Sequence, residues 1–518
     1  MEKRAVIAIG LSVLVLLAYQ YFFIPSTPYH APAPSQVNAP AAQLTNTAQT
    51  ATATSPATPA MAPSTTPAEA PAREITVKTD LYTAIFSSKG GTLTAMTLDK
   101  FKDKDGNLIS ILHGGGSALS VGSKEDFSLS EKPFASDAPD AITLGQGKES
   151  ATLSFLYSDG SRSVRRTYTF KQGSYLISIH DEVQGLPEYE ITLGTAFGIN
   201  EKDSSLHTGP VVLVDTDRKE YKEVKVEATE TLTGMVKWVA LEDKYFFSAL
   251  VPATTIGGAR VWKGRDAQGA VGFFGTSGSG TYDFTLYAGP KELDNLKTLN
   301  LGIEHIVDFG FFSIIARPIF WMLNRINDLV HNYGWSIIIL TILIRIPFIP
   351  IVNKGQESMR RLQELQPRMQ AIKEQYAKDP ARMQQETMEL YKKHKVNPMG
   401  GCLPMLLQIP VFFALYKVLL VSIELRGAPF ALWIHDLSTK DPYYVLPLVM
   451  GVSMLVQQKM TPATGDATQR KIMMLMPVIF TFMFLNFASG LVLYWLLNNL
   501  LSIAQQMYVM RKKTASEA

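Results

Sequence analysis

The residue in this chain that most needs a chemical reason is Arg345. It lies near the middle of WSIIILTILIRIPFIPIVN, residues 335–353, a window without a single Asp or Glu. A charge at the centre of a bilayer costs at least about 2.5–3.5 kcal/mol, so it is kept there for a purpose. Thr341 stands one helical turn earlier and shares its face. Pro347 and Pro350 cannot donate to the carbonyls of Leu343 and Ile346, which predicts bare polar backbone just past the arginine. A guanidinium with no carboxylate beside it offers its charge to carboxylates on something passing through. The plainer alternative is snorkelling to the cytoplasmic interface.

Other apolar windows carry polar residues as well. Gln408 lies in 403–423, and Ser453 and Gln457 sit one turn apart in the window that follows. The last window has two overlapping polar faces, one of Tyr494, Asn498, Ser502 and Gln505, the other of Trp495, Asn499, Ser502 and Gln506. Polar atoms in hydrocarbon must find partners, so such faces converge on each other or on water. Ordinary hydrogen bonds between helices would satisfy them, and so would a water-filled recess open to the cytoplasm. Lys417, seven residues before Glu424, is a second cation in an apolar window, placed to snorkel outward or to pair with that glutamate.

The rest of the chain offers little for catalysis. His113, His180, His207 and His305 are scattered without metal-ligand spacing. Gly114-Gly115-Gly116 is not followed by the Lys-Ser/Thr of a phosphate loop. The single cysteine, Cys402, excludes an intramolecular disulfide framework and reads as a small packing residue. A net charge of +3 does not by itself suggest a nucleic-acid binder. These residues call for no metal or cofactor and do not suggest an enzyme.

The elements that must position Arg345 follow from patterning. MEKR and an apolar run to residue 24 form an uncleaved transmembrane anchor (1–24) with Lys3 and Arg4 in the cytoplasm. Residues 25–72, almost entirely Ala, Pro, Thr, Ser, Gln and Asn, cannot bury enough apolar surface to order themselves and make a tether. From 73 to 308 the pattern is strand-like, as at 75–79, 93–98, 163–170, 175–180 and 281–287, with Gly90-Gly91 as a turn between the first two. This predicts a large all-β sandwich, soluble and across the membrane from Lys3. It reads as a structural or docking domain, with a carbohydrate or peptide cleft as the alternative.

Residues 309–330 carry the stripe Phe312, Ile315, Ile319, Met322, Ile326 and Leu329, and also Arg317, Asn324, Arg325, Asn327 and Asp328. That mixture predicts an amphipathic helix lying in the interface. After the arginine window, residues 354–396 read as a helical hairpin. Its apolar seam is Met359, Leu362, Leu365, Met369, Ile372 and Tyr376, with a kink at Pro367 and a new start at Asp379-Pro380. Its charged faces are either solvated or in contact with anionic lipid headgroups or a partner.

With the anchor, the windows 335–353, 403–423, 443–459, 472–487 and 490–509 make six transmembrane helices, five of them in a core spanning 331–510. Starting inside, this parity puts the hairpin, residues 459–471 and the tail 511–518 in the cytoplasm, and all three are basic. Counting 309–330 as a seventh crossing would put every one of them outside.

Four strings then give the chain a likeness. NPMGGCLPMLLQIPVFFALY (397–416), FALWIHDLS (430–438), DPYYVLPLVMG (441–451) and SGLVLYW (489–495) resemble the YidC insertases of the Oxa/YidC/Alb group. The likeness covers about residues 309–510. The anchor, linker and β domain match the layout of Gram-negative members, whose periplasmic domain is a β-supersandwich. The resemblance implies a multi-pass inner-membrane insertase and chaperone, with both termini cytoplasmic and the β domain periplasmic. Its partners would be nascent membrane proteins, the Sec translocon with its accessory subunits, the ribosome and anionic lipids, with no direct nucleic-acid contact. The family's groove arginine would be Arg345, its companion threonine Thr341 and its last-span aromatic Trp495, and the polar faces read above add Tyr494, Gln408 and Asn498 to the candidate groove. Ala488 stands where relatives place a proline, and Trp495 where relatives carry Tyr. The competing class is a polytopic transporter or channel with a periplasmic receptor domain, which would bring inverted repeats and acidic coupling residues inside its spans. Neither is visible in the sequence.

Overall fold

The computed structural model describes residues 72–517 except 104, 113–115, 146, 196, 198–205, 223–227, 265–267, 395–402 and 461–466. The expected anchor 1–24, the tether up to residue 71, His113, Gly114, Gly115 and Cys402 lie outside the described residues.

Among the described residues, the strands from Glu74 to Pro290 form sheets of five, five and eight strands. Alternation of side chains builds them. Ser163–Lys171 turns Val164, Arg166, Tyr168 and Phe170 inward, and its neighbours on the chain outward or to the rim. It pairs antiparallel with Leu176–Gln184, setting Arg166 opposite Asp181. The expected strand segments fall in Glu74–Lys78, Thr92–Lys102, Ser163–Lys171, Leu176–Gln184 and Gly280–Pro290. One connection differs from expectation. Gly90 and Gly91, both left-handed, turn Tyr82–Ser87 into Thr92–Lys102, because an extra strand intervenes after residue 78.

Two cores result. One fills the space between the sheets with Phe86, Phe155, Tyr168, Phe170, Phe273 and Phe284. The other starts on the far face of the eight-stranded sheet, at Val211, Trp238, Phe247 and Tyr287. It continues through the short helix α1 (Leu293–Thr298), Ile303, Ile306 and Phe309 into the helical region. Trp238 Nε1 donates to the Gly302 carbonyl at 3.0 Å within this junction.

The helical region opens with α2 (Ser313–Val330), which buries Ala316, Ile319, Phe320 and Leu323. Phe312, Ile315, Met322 and Ile326 flank that row and pack on the same core. Leu329, expected on the stripe, is instead 83% exposed. It sits at the stripe's edge, and a left-handed His331 turns the chain away just beyond it. The side chain of Asn332 caps α3 (Tyr333–Arg345) by accepting from the Trp335 amide at 3.1 Å.

A 3-10 turn, Ile346–Phe348, leads from α3 to α4 (Ile349–Glu364). The hairpin continues as α5 (Gln366–Gln375) and α6 (Pro380–Lys393), the break falling at Leu365, just before Pro367. Asp379 accepts from the Arg382 amide at 3.1 Å to start α6. Leu362 and Leu365 form the hairpin's small core, covered by Met359, Met369, Leu390 and Tyr391. The last four helices are α7 (Leu403–Val421), α8 (Val445–Met460), α9 (Ala467–Phe484) and α10 (Ser489–Glu517). Among the described residues one helical stretch, Tyr333–Glu364, is long and apolar enough to cross a membrane, and Gln408–Val421, Val445–Met460 and Met473–Phe484 are shorter apolar helices.

Candidate functional site

The half-buried Arg345 at the end of α3 faces one row of α10. One of its terminal nitrogens donates to the Asn498 carbonyl at 3.0 Å and to the Asn498 side-chain oxygen. The other reaches Ser502 Oγ at 2.8 Å and Gln505 Oε1 at 3.3 Å. Asn498, Ser502 and Gln505 can act together because spacings of four and three residues keep them on one helix face. Every one of these acceptors is neutral, and among the described residues no carboxylate bonds the guanidinium. Its orientation is therefore fixed while its full charge remains.

The rest of the polar face divides. Gln408 of α7 donates to the hydroxyl of the buried Tyr494 at 2.9 Å. Thr341 is buried, and its hydroxyl donates back to the Ile337 carbonyl at 2.6 Å. Trp495 packs among Phe412, Phe480 and Phe484, with ring centroids 4.8, 6.1 and 5.1 Å away. The second face of α10 serves α8: Asn499 donates to Ser453 Oγ at 3.1 Å, and Gln506 to the Met460 carbonyl at 2.7 Å. The structure thus joins Arg345 to Asn498 and Gln408 to Tyr494. Thr341 and Trp495 have their polar or aromatic contacts elsewhere.

The backbone past Arg345 is not bare, contrary to the sequence expectation. The Ile346 amide donates to Leu343, and the Ile349 amide to Ile346, so both carbonyls abandoned by the prolines are taken up. The chain tightens to 3-10 spacing, which lets the residue before each proline supply the bond that proline cannot.

One participant was missed. Gln505 Nε2 donates to Asn353 Oδ1 at 2.7 Å, which ties α4 to the Arg345 acceptors. Its signal was present: Arg345, Ile349 and Asn353 form an i, i+4, i+8 row.

At the opposite end of α3 and α10, the loop before α8 binds both. Asn332 Nδ2 donates to the Phe430 carbonyl at 3.1 Å, and the phenyl ring of Phe430 packs so closely that a Cβ on Gly334 would fall 2.0 Å from it. The Ser489 amide donates to Thr439 at 2.7 Å and the Gly490 amide to Leu437 at 2.9 Å. Asp441 closes the loop, accepting from Trp433 Nε1 at 3.0 Å and from the Leu446 amide at 2.7 Å.

Two family models divide this architecture between them. Residues 74–322 match the YidC periplasmic domain, and residues 325–516 match the family described as 60Kd inner membrane protein. The membrane protein insertase YidC of Syntrophus aciditrophicus (strain SB) is 41% identical, over 98% of this chain and 99% of the relative. That of Geobacter metallireducens is 40% identical, with both chains covered in full. A solved structure of an active YidC insertase, 19% identical, covers 83% of this chain and 92% of its own at a TM-score of 0.39. What the family models and the two relatives define is an inner-membrane protein with a large periplasmic β domain. Within that class, the chain belongs to the YidC family.

Proposed function

We propose that the protein inserts membrane proteins and helps them fold, and that Arg345 is the centre of its substrate groove. The observation that carries this reading is the neutral cradle of Asn498, Ser502 and Gln505. It orients a guanidinium without cancelling its charge. In low dielectric such a charge attracts a carboxylate strongly. A nascent chain with an acidic outer segment gains that attraction part-way across, in a recess hydrated from the cytoplasm. Its apolar helix meanwhile leaves along α3 and α7 into lipid, and burial there drives release. No covalent step is involved.

The working topology is six crossings with both termini cytoplasmic, the β domain periplasmic and α2 in the interface, supported by the basic residues of 354–396 and 511–513. The domain limits stay at 73–308, 309–330 and 331–510. Nascent membrane proteins delivered by ribosomes are the substrates; the protein acts alone on small ones and beside the Sec translocon with its accessory subunits on larger ones, and anionic lipid contacts the basic hairpin. The test is insertion of a small single-span substrate with an acidic outer tail in cells depleted of the native insertase. Arg345→Ala should abolish most insertion and Arg345→Lys should retain more of it. Unchanged insertion by Arg345→Ala would remove the arginine from the mechanism.

A further inference from the structure

Just beyond α7 the chain makes one 3-10 turn, Ile423–Leu425, and successive side chains there are gripped by different neighbours. Ile423 enters the core between the sheets of the β domain. Leu425 joins the second core, shared with the helices. Arg426 turns back to the β domain, donating to the Lys102 carbonyl at 2.7 Å, with its guanidinium 5.8 Å from the ring centre of Phe246. Glu424 stands among Glu292 and Asp294 of the α1 region and Tyr333 at the start of α3. This turn is a joint in which the β domain and the helices hold the same few residues.

Glu424 is the ill-matched member of the joint. Its Oε2 is buried and has no hydrogen-bond partner among the described residues. The charges acting on it, Glu292 and Asp294, are both negative. Asp294 is held by Lys297 at 3.1 Å and by the side-chain amide of Asn324 at 3.2 Å. On α2, Oδ1 of Asn324 and Oδ1 of Asn327 are buried acceptors that also lack a donor among the described residues. Asp328, which faces Tyr333, is paired with Arg325 at 3.3 Å. Of the cations on the same stretch of chain, Arg426 faces the β domain, and Lys417 lines a hollow with Asp308 and Glu242. Surplus acceptors and like charges favour a protonated carboxyl, which loses its charge and gains an O–H donor. Burial first, and then Glu292 and Asp294, raise the pKa of Glu424 from 4.5 to about 7.

We propose that Glu424 is a proton-operated latch between the β domain and the helices. Neutral, it lets the turn stay packed in the joint; ionised, it must seek water and loosens the turn. The closed joint binds the proton more tightly than the open one. Closure is therefore complete below the ordinary carboxyl value and weakens as pH rises through about 7. The effect has a path to the groove, because α7 also carries Gln408, the donor to Tyr494. This goes beyond the insertase reading, and its test involves no insertion.

The test is deuterium exchange of the full-length protein in detergent at about pH 6 and about pH 8, corrected for the intrinsic exchange rate. Peptides covering 291–300 and 419–428 should lose about tenfold in protection over that interval, the factor that one carboxyl with this shift contributes. In Glu424→Gln the loss should vanish and protection should stay at the parent's acid level. A merely structural side chain would instead change protection equally at both pH values. Should Glu424→Gln fail to fold, Asp294→Asn serves, and its loss should be smaller than tenfold because one repelling charge is gone. The same loss in Glu424→Gln as in the parent would overturn Glu424 as the titrating group. Protection independent of pH in the parent would overturn the latch.

Discussion

Two arginines in this chain, one buried and one half-buried, solve the same problem in opposite ways. Arg166, in the β domain, lies fully buried against a carboxylate: its Nε and one terminal nitrogen each donate to Asp181 at 2.8 Å. The other terminal nitrogen takes the Leu119 carbonyl, and Tyr189 adds a 2.7 Å bond to the same aspartate. That charge is cancelled inside the fold, where it fixes register between two strands and a loop. Arg345 makes four hydrogen bonds to the three of Arg166, yet all go to uncharged oxygens. One arrangement is complete without a ligand. The other is satisfied in geometry and open in charge. A buried arginine is therefore informative about function only once its acceptors are known.

Breaking the two should separate stability from activity. Arg166→Met leaves Asp181 buried and unpaired, and should cost about 3–5 kcal/mol of stability, read by denaturant unfolding of the full-length protein in detergent. The double variant Arg166→Met/Asp181→Leu should recover most of that loss; no recovery would mean that packing, and not the unpaired charge, dominates. Arg345→Met should cost about 1 kcal/mol or less in the same measurement, because its neutral acceptors can turn to one another, while insertion of an acidic-tailed substrate falls steeply. A loss as large as that of Arg166→Met would make Arg345 a structural residue.

The cradle can be weakened by itself. Asn498→Leu should cost about 1 kcal/mol and leave insertion intermediate, since Ser502 and Gln505 still hold the guanidinium.

The smallest effect belongs to a pair at the surface of the β domain. His180 Nδ1 lies 2.6 Å from Asp283, and that hydrogen bond raises the histidine's pKa above its ordinary 6.5. The folded state holds the proton more tightly, so the contribution is complete below 6.5 and disappears as pH rises through the folded value. His180→Gln should remove this slope from the pH dependence of stability. The amplitude should be under about 1 kcal/mol, because both side chains are exposed and screened.

Much of this contrast could be read in advance, though unevenly. The face of Asn498, Ser502 and Gln505 follows from helical spacing, and Arg345 declared itself by being charged among aliphatics. In SVRRTYTF the adjacent Arg165 and Arg166 look alike, and only the pairing with the next strand decides which one points inward. Burial in a sandwich is settled by partners distant in sequence. The bonds that rescue Leu343 and Ile346 were missed because a proline-by-proline argument removes donors and cannot foresee a local tightening of the helix. Thr341 was placed beside Arg345 by face alone; its hydroxyl found a nearer acceptor one turn back.

The loop of residues 426–441 gives the bundle a fulcrum. It pins the start of α3 through Asn332 and the start of α10 through Ser489 and Gly490. Among the described residues, hydrogen bonds join the far end of α3 and the start of α4 to α10 through Arg345, Asn353 and Gln505, the last also reaching the Ile349 carbonyl. A pair of levers hinged at one end and latched by a few polar side chains at the other opens most where it is latched. Spin labels near residue 353 of α4 and residue 509 of α10 should report a broad distance distribution, and labels near 334 and 490 a narrow one. Equal widths would mean that the bundle has no hinge.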